Sequence, residues 1–313
     1  MSHPSPTPRR RALATALGLA AILATAPAAL ADAPLRWKFT KGETIRYTLV
    51  QKTDTRMKAG DKEAGQTIQQ ASDVRWTVDD VSPEGVAQMT QANERIKIKM
   101  EVAGQPPFEF DSAEPDKAQE GPIAAQLSSM FKAVAGLQYT FKMDPRGRID
   151  SVSIPQKSLD SLKQSFTGPM ATLFSEESVK KMITQSILIF PEEAIADGKG
   201  WSEESKLPLA QFATVVTDKT YTVVGPEANA PGRVKIALDA KMKLEDLQNP
   251  QLQVEIKEQK SDGSYAFDKE KGRLDSSHVK IKMVQLITVG GNQLEQTIEN
   301  TMDMTIGNEP APK

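Results

Sequence analysis

Beyond residue 31 the chain has no cysteine and a single histidine, His278, so most nucleophilic and transition-metal chemistry would have to run through one imidazole. Asp275, Ser276 and Ser277 lead up to it, and these are the residue types of a serine hydrolase, in which a carboxylate orients the imidazole that takes the hydroxyl proton. Their spacing argues against that use. The following segment, Val279-Lys280-Ile281-Lys282-Met283, alternates apolar and charged residues, the period of a strand with one dry face. Successive residues of a strand point to opposite faces and cannot form a hydrogen-bonded relay. His278 falls in phase with Lys280 and Lys282, so it is expected to be a surface histidine, and no catalytic residue is assigned.

Carboxylate-only chemistry, as in glycoside hydrolysis, needs two acids held a fixed distance apart across a cleft. Asp79-Asp80, Glu192-Glu193 and Glu203-Glu204 are the adjacent pairs, and each stands beside a turn signal, where solvated strand ends and helix starts are expected. Among 41 acidic residues such adjacency is ordinary. Zinc, copper and haem are starved of ligands. No calcium loop, P-loop or dinucleotide fingerprint occurs. The expectation is a non-enzymatic protein with no metal and no cofactor.

The residues that could bind something are apolar and helical in spacing. Ile123, Leu127, Met130, Phe131 and Val134 share one face between Pro122 and Gly136, and Met170, Phe174, Met182 and Ile183 lie on a second set of short amphipathic helices. Ser158 and Ser175 suit helix N-caps. Methionine-rich stripes of this kind adapt to a hydrophobic ligand, or simply complete a core. Leu127, Met130, Phe131, Met170, Phe174, Met182 and Ile183 are therefore the candidate ligand-binding residues.

These helices must sit on a sheet, because period-two alternation dominates the chain. Ile96 to Met100, Val234 to Ile236 and Val279 to Met283 are clear strands, with further candidates at Thr44 to Asp54, Thr67 to Asp79, Thr214 to Val224, Leu252 to Lys260, Arg273 to Val289 and Gln293 to Ile306. Gly290-Gly291-Asn292 supplies a tight hairpin turn between the last two, so antiparallel pairing follows. The expected fold is mainly β with inserted helices (α+β): a large curved antiparallel sheet or half-barrel, with helices packed on one face.

Two stretches repeat. Tyr139-Thr-Phe141 followed by Gly147-Arg148-Ile149-Asp150-Ser151 matches Tyr265-Ala-Phe267 followed by Gly272-Arg273-Leu274-Asp275-Ser276. Upstream, Trp76-Thr-Val78 with Ser82-Pro-Glu-Gly85 parallels Tyr221-Thr-Val223 with Gly225-Pro-Glu227. An internal duplication is expected, each copy a β-meander. The division is residues 32–154 for the first half with a helical insertion at 120–136, 155–190 for a helical connector, 191–308 for the second half and 309–313 for a disordered tail. The stretch from Ala103 to Gln119, rich in Pro, Glu and Asp, reads as a loop.

Residues 1–31 resemble an export signal: Arg9 to Arg11, an apolar run from Ala12 to about Ala26, and Ala29-Leu30-Ala31 at the cleavage site. The run is shorter than the ~20 apolar residues of a spanning helix. Removing it leaves 36 basic against 41 acidic residues, a formal charge of −5, with no basic surface for nucleic acid. The expected location is the periplasm or the extracellular space, with no integral membrane span in the mature chain. A hydrophobic ligand or an envelope protein is the expected partner.

Trp37-Lys-Phe39, Lys41-Gly-Glu43 and Arg46-Tyr47, with Phe190-Pro-Glu192 and the later Gly198-Lys-Gly-Trp201, resemble an uncharacterised family of exported bacterial β-rich proteins. That resemblance implies an envelope protein and no activity. In architecture alone the pattern is similar to the periplasmic lipoprotein-carrier fold.

Overall fold

In the computed structural model the alternating runs become strands. The structure describes residues 33–116, 124–166, 175–209, 213–247 and 252–307, all within one compact unit, Asp32–Lys313. The strands are β1 (Thr44–Ala59), β2 (Lys62–Val81), β3 (Ala87–Val102), β4 (Phe108–Asp111), β5 (Gln138–Met143), β6 (Ile149–Ser153), β7 (Gly200–Leu209), β8 (Ala213–Glu227), β9 (Ala230–Glu245), β10 (Leu252–Asp268), β11 (Arg273–Val289) and β12 (Asn292–Ile306). The helices are α1 (Ala124–Ala135), α2 (Gln156–Ser165) and α3 (Glu176–Thr184).

All twelve strands join one curved, unclosed antiparallel sheet in the order β6-β5-β3-β2-β1-β12-β11-β10-β9-β8-β7, with β4 beside β3. The expected fold class is the observed one. β12 closes the middle, pairing β1 from Tyr47↔Ile306 to Lys58↔Glu295 and β11 from Ser276↔Thr305 to Val289↔Asn292. Its hairpin to β11 turns at Gly290 and Gly291, both at positive φ.

Two of the turns share a local hydrogen-bond pattern. Gly42 N–H donates to the Val78 carbonyl (2.8 Å) and Val78 N–H to that of Glu43 (2.9 Å); Gly198 N–H donates to the Val223 carbonyl (2.7 Å) and Val223 N–H to that of Lys199 (2.8 Å). The β5–β6 and β10–β11 hairpins each carry a register shift beside the turn. In both turns an aspartate, Asp144 or Asp268, accepts two backbone N–H groups.

One face of the sheet holds the core. Trp37 is its hub: its ring lies 6.3 Å from Trp76, 6.5 Å from Phe190 and, edge-on, 5.7 Å from Phe267. The indole N–H donates to the Leu188 carbonyl at 3.0 Å, and Trp37 N–H to that of Pro145 at 2.8 Å. From there rings run outward through Trp76 to Phe141 on one side and through Phe190, Trp201 and Tyr221 on the other. α2 buries Leu159 and Leu162, α3 buries Val179 and Ile183, and α3 packs against both edge strands, β6 and β7. A smaller cluster of Ile96, Ile98, Phe108 and Phe110 lies under α1.

The structure differs from the sequence reading in three places. The expected loop 103–119 contains β4, because Phe108 and Phe110 alternate and find Met100 and Ile98 across from them. β1 and β2 run well past the apolar residues that signalled them, to Ala59 and back to Lys62, held by the ladder of their own hairpin. Ser158 lies inside α2, whose N-cap is Pro155; Ser175 does cap α3, its side chain accepting from Ser178 N–H at 3.3 Å. Pro122 and Gly168-Pro169 lie outside the described residues, as do residues 1–31.

Gly147 sits at φ +97°, and a Cβ there would overlap the Leu188 carbonyl and come within 2.7 Å of the Trp37 indole nitrogen. Gly147→Ala is expected to lower the unfolding free energy by about 3 kcal/mol, combining backbone strain with a displaced tryptophan. Gly60→Ala, at φ +58° with nothing near, is expected to cost about 1 kcal/mol from the left-handed backbone alone. Denaturant unfolding of both variants checks this, and equal losses would remove the crowding argument.

Candidate functional site

Charge is segregated across the sheet. The strand registers place Leu49, Gln51, Thr53, Thr55 and Met57 of β1 on the inward face beside Ser72, Gln70, Ile68 and Gln66 of β2. On the other side of β1 they stand level with Met304, Met302, Asn300, Ile298 and Gln296 of β12, and these with Ser277, Val279, Ile281, Met283 and Gln285 of β11. None of these side chains is ionisable. The opposite face of the same strands carries Lys52, Asp54, Arg56, Lys280, Lys282, Glu299 and Asp303. Near the turns at 81–87 and 143–149 the inward face is buried, but from Leu49 outward most of it is partly exposed. Its polar side chains bond one another: Asn300 Nδ2 donates to Thr53 Oγ1 at 2.7 Å and Gln285 Nε2 to Gln296 Oε1 at 2.5 Å.

Toward one edge of the sheet two ionisable residues do stand on the inward face. Glu203 of β7 and Lys219 of β8 are in register on the inward face, next to Trp201 and Tyr221. Lys219 Nζ donates to the Gln185 carbonyl at 3.2 Å, while Glu203 Oε2 is buried with no hydrogen-bond partner. Burial raises the Glu203 carboxyl above its ordinary 4.5, with Lys219 opposing. Burial also pushes the Tyr265 phenol up to about 12, with the Glu203 charge adding to it.

The helix residues singled out from sequence do not converge on one cavity. Leu127 and Phe131 pack on the small cluster with Ile68 and Met100. Met130 joins the main core, as does Ile183, which is buried in it. Met182 faces outward, 37% exposed. Met170 and Phe174 lie outside the described residues.

His278 lies on the outward face, as its phase requires, and its Nδ1 is 2.6 Å from Asp303 Oδ1 on β12. Ser264 of β10 stands opposite it on the other side, so serine, histidine and aspartate form a row across three strands. Reading along one strand could not find this row; only the register creates it. A surface cavity of about 260 Å³ borders all three. No hydrogen bond joins Ser264 to His278, and both His278 and Asp303 are about half exposed. The pair is a solvated cross-strand contact, of the kind worth a few tenths of a kcal/mol up to about 1 kcal/mol. Among the described residues no group of three or more His, Cys, Asp or Glu is placed to hold a metal ion, and no helix is long and apolar enough to cross a membrane.

Comparison with known families completes the picture. The sequence model described as "Family of unknown function (DUF6263)" matches residues 84–274, more than half of the chain. The chain belongs to this family. The match begins at the turn before β3 and ends at the start of β11, so it takes in β3 to β10 and the helices α1 to α3. No curated protein matches the sequence. Among solved structures the chain is similar to lipovitellin, described for its lipid-protein interactions, at 10% identity and a TM-score of 0.47, over 88% of this chain and 26% of that one. The chain thus spans about a quarter of lipovitellin's length. It is also similar to DynF from the dynemicin biosynthesis pathway of Micromonospora chersina, at 10% identity and a TM-score of 0.21, over 96% of this chain and 94% of that one.

The Glu203 carboxyl titrates higher in the folded chain than in the unfolded one, so its neutral form is the one the fold prefers. Stability from this site is fully present below the unfolded value and is lost as the pH rises through the folded value. Glu203→Gln is therefore expected to melt higher than the unaltered protein at pH 7 and about level with it at pH 4. Thermal melts across that range check the sign; a lower melting temperature at pH 7 would mean that the pairing with Lys219 outweighs burial.

Proposed function

We propose that this family member is an exported, non-enzymatic binding or carrier protein for an apolar ligand, which lies on the inward face of β1, β2, β11 and β12. The observation that carries the reading is that, among the rows level with Leu49 to Met57, no ionisable side chain stands on a partly exposed sheet face whose reverse side is charged. A protein with nothing to bind would be free to solvate those positions with lysine and glutamate, since water reaches them. Isoleucine and methionine left there form a surface that gains from being covered. Methionine adapts to irregular apolar shapes, and the Thr, Asn and Gln side chains between them bond one another without attracting an ionic ligand.

Leu127 and Phe131 of α1 border this face at Ile68 and are its lateral wall. Met130 and Ile183, packed in the main core, hold the helices in place. A sheet with helices on one face is also the architecture that the sequence likens to periplasmic lipoprotein carriers, an analogy of shape that assigns no ligand. The repeated glycine turns and hairpins support reading the two halves, 32–154 and 191–308, as copies of one meander joined by the connector 155–190. Location in the periplasm or outside the cell rests on the export signal at residues 1–31. The non-enzymatic reading rests on His278, the one imidazole beyond that signal, being a solvated partner of Asp303.

Native mass spectrometry of protein gently extracted from its own envelope is expected to show an added apolar mass, and the stripped protein to bind a fluorescent acyl-chain probe. Ile298→Glu and Met283→Glu each place a charge on the face and are expected to weaken probe binding at least tenfold, since covering an unpaired charge costs several kcal/mol, with circular dichroism unchanged. A clean apo mass together with no probe binding would overturn the ligand reading and leave an envelope interaction protein.

A further inference from the structure

Sulfur in this chain is thioether only, since the sequence holds no cysteine. Four of those thioethers share the face already assigned to the ligand. Met57 of β1, Met283 of β11 and Met302 and Met304 of β12 all stand on the inward side by the registers that align these strands, and each is partly exposed. Met89 and Met143, in contrast, are wholly buried in the core. With no thiol to compete, exposed thioethers are the side chains most open to two-electron oxidation, which turns an apolar sulfur into a polar sulfoxide.

The register also decides what such an oxygen would meet. Gln296 stands level with Met57, Gln51 with Met302, Ser277 with Met304 and Gln259 with Met283. Level residues on neighbouring strands have Cβ atoms about 4.5–5.5 Å apart, and amides and hydroxyls donate hydrogen bonds. Each of the four methionines therefore has a neutral donor within side-chain reach on its own face. A sulfoxide oxygen, which only accepts, is matched where it forms. Met89 has no such neighbour, because it stands level with Val78 and Phe141; the same oxygen there would be buried without a donor, at a cost of about 1–3 kcal/mol.

From this we infer that Met57, Met283, Met302 and Met304 are an oxidation site that releases the ligand, the oxidant being a hydroperoxide. The inference rests on the apolar-ligand reading above. In each step the sulfur lone pair attacks the terminal oxygen of the peroxide and the O–O bond breaks. The sulfur keeps that oxygen as a sulfoxide, two electrons pass from sulfur to the peroxide, and the proton of the attacked hydroxyl moves to the leaving oxygen, which departs as water or an alcohol. Four polar oxygens then stand where the apolar ligand lay. The face becomes wet while the strand ladders beneath it persist.

Titration of the purified protein with hydrogen peroxide, read by peptide mass spectrometry, is expected to oxidise these four before Met89 and Met143, with circular dichroism unchanged. Binding of the acyl-chain probe is expected to weaken about tenfold or more as they oxidise, because polar groups resist an apolar partner. The variant with Met57→Leu, Met283→Leu, Met302→Leu and Met304→Leu keeps Met182, 37% exposed on α3, and is expected to hold the probe under peroxide. Met302→Gln with Met304→Gln places polar groups on the face without any oxidant. It is expected to weaken probe binding in the untreated protein, and it serves as the test where the fourfold variant does not fold. Peroxide-driven release that persists in the fourfold variant, or loss of secondary structure in step with oxidation, would overturn the release site and leave the ligand reading standing. No probe binding before peroxide is added would overturn both.

Discussion

The fold depends on where Trp37 sits. Its indole touches Trp76 of β2, Phe190 of the segment between α3 and β7, and Phe267 of β10, and its N–H bonds the Leu188 carbonyl. A tryptophan supplies the largest apolar area of any side chain together with one directional donor, so it can be both mortar and locator. The turn at Gly147 leaves room for it, since any side chain there would enter the space that the indole and the Leu188 carbonyl occupy. An unclosed sheet has no ring of hydrogen bonds to fix its curvature. Here the curvature is fixed by this packing and by α3, which touches both edge strands.

From that anchored end the strands run outward beyond the helices. Their ladder hydrogen bonds continue, but their inward side chains leave the core, and this is where the uncharged, partly exposed face arises. The same strand therefore does two things: near Tyr47 it builds the core, and past Leu49 it presents a surface. Glu203, level with Lys219 and seated beside Trp201 and Tyr221, is pushed toward its neutral form by burial.

Much of this was legible in the alternation of residues. The stretch Val279 to Met283 announced both a strand and its faces, and His278 lies on the side its phase requires. The strand from Arg273 to Val289 and the Gly290-Gly291 turn were marked by composition, because a positive-φ turn and a period of two leave distinct signatures. The helix stripe was legible as amphipathic but not as to what it covers: Leu127 and Phe131 went to one cluster, Met130 to another, and Met182 to solvent. Amphipathicity reports that one face is dry and says nothing of which partner dries it. β4 was hidden inside a segment rich in turn-forming residues, since two alternating phenylalanines make too short a pattern to outweigh Pro106 and Pro107.

By itself the sequence determined the class of structure, through side-chain period, and the direction each strand residue faces, through phase. Those are local properties, set by backbone geometry within a few residues. Only the tertiary structure decided the register between strands far apart in the chain, because that depends on which ladders form and where the bulges fall. The row Ser264, His278 and Asp303 and the uncharged face shared by β1, β2, β11 and β12 both come from register. No reading along one strand contains them.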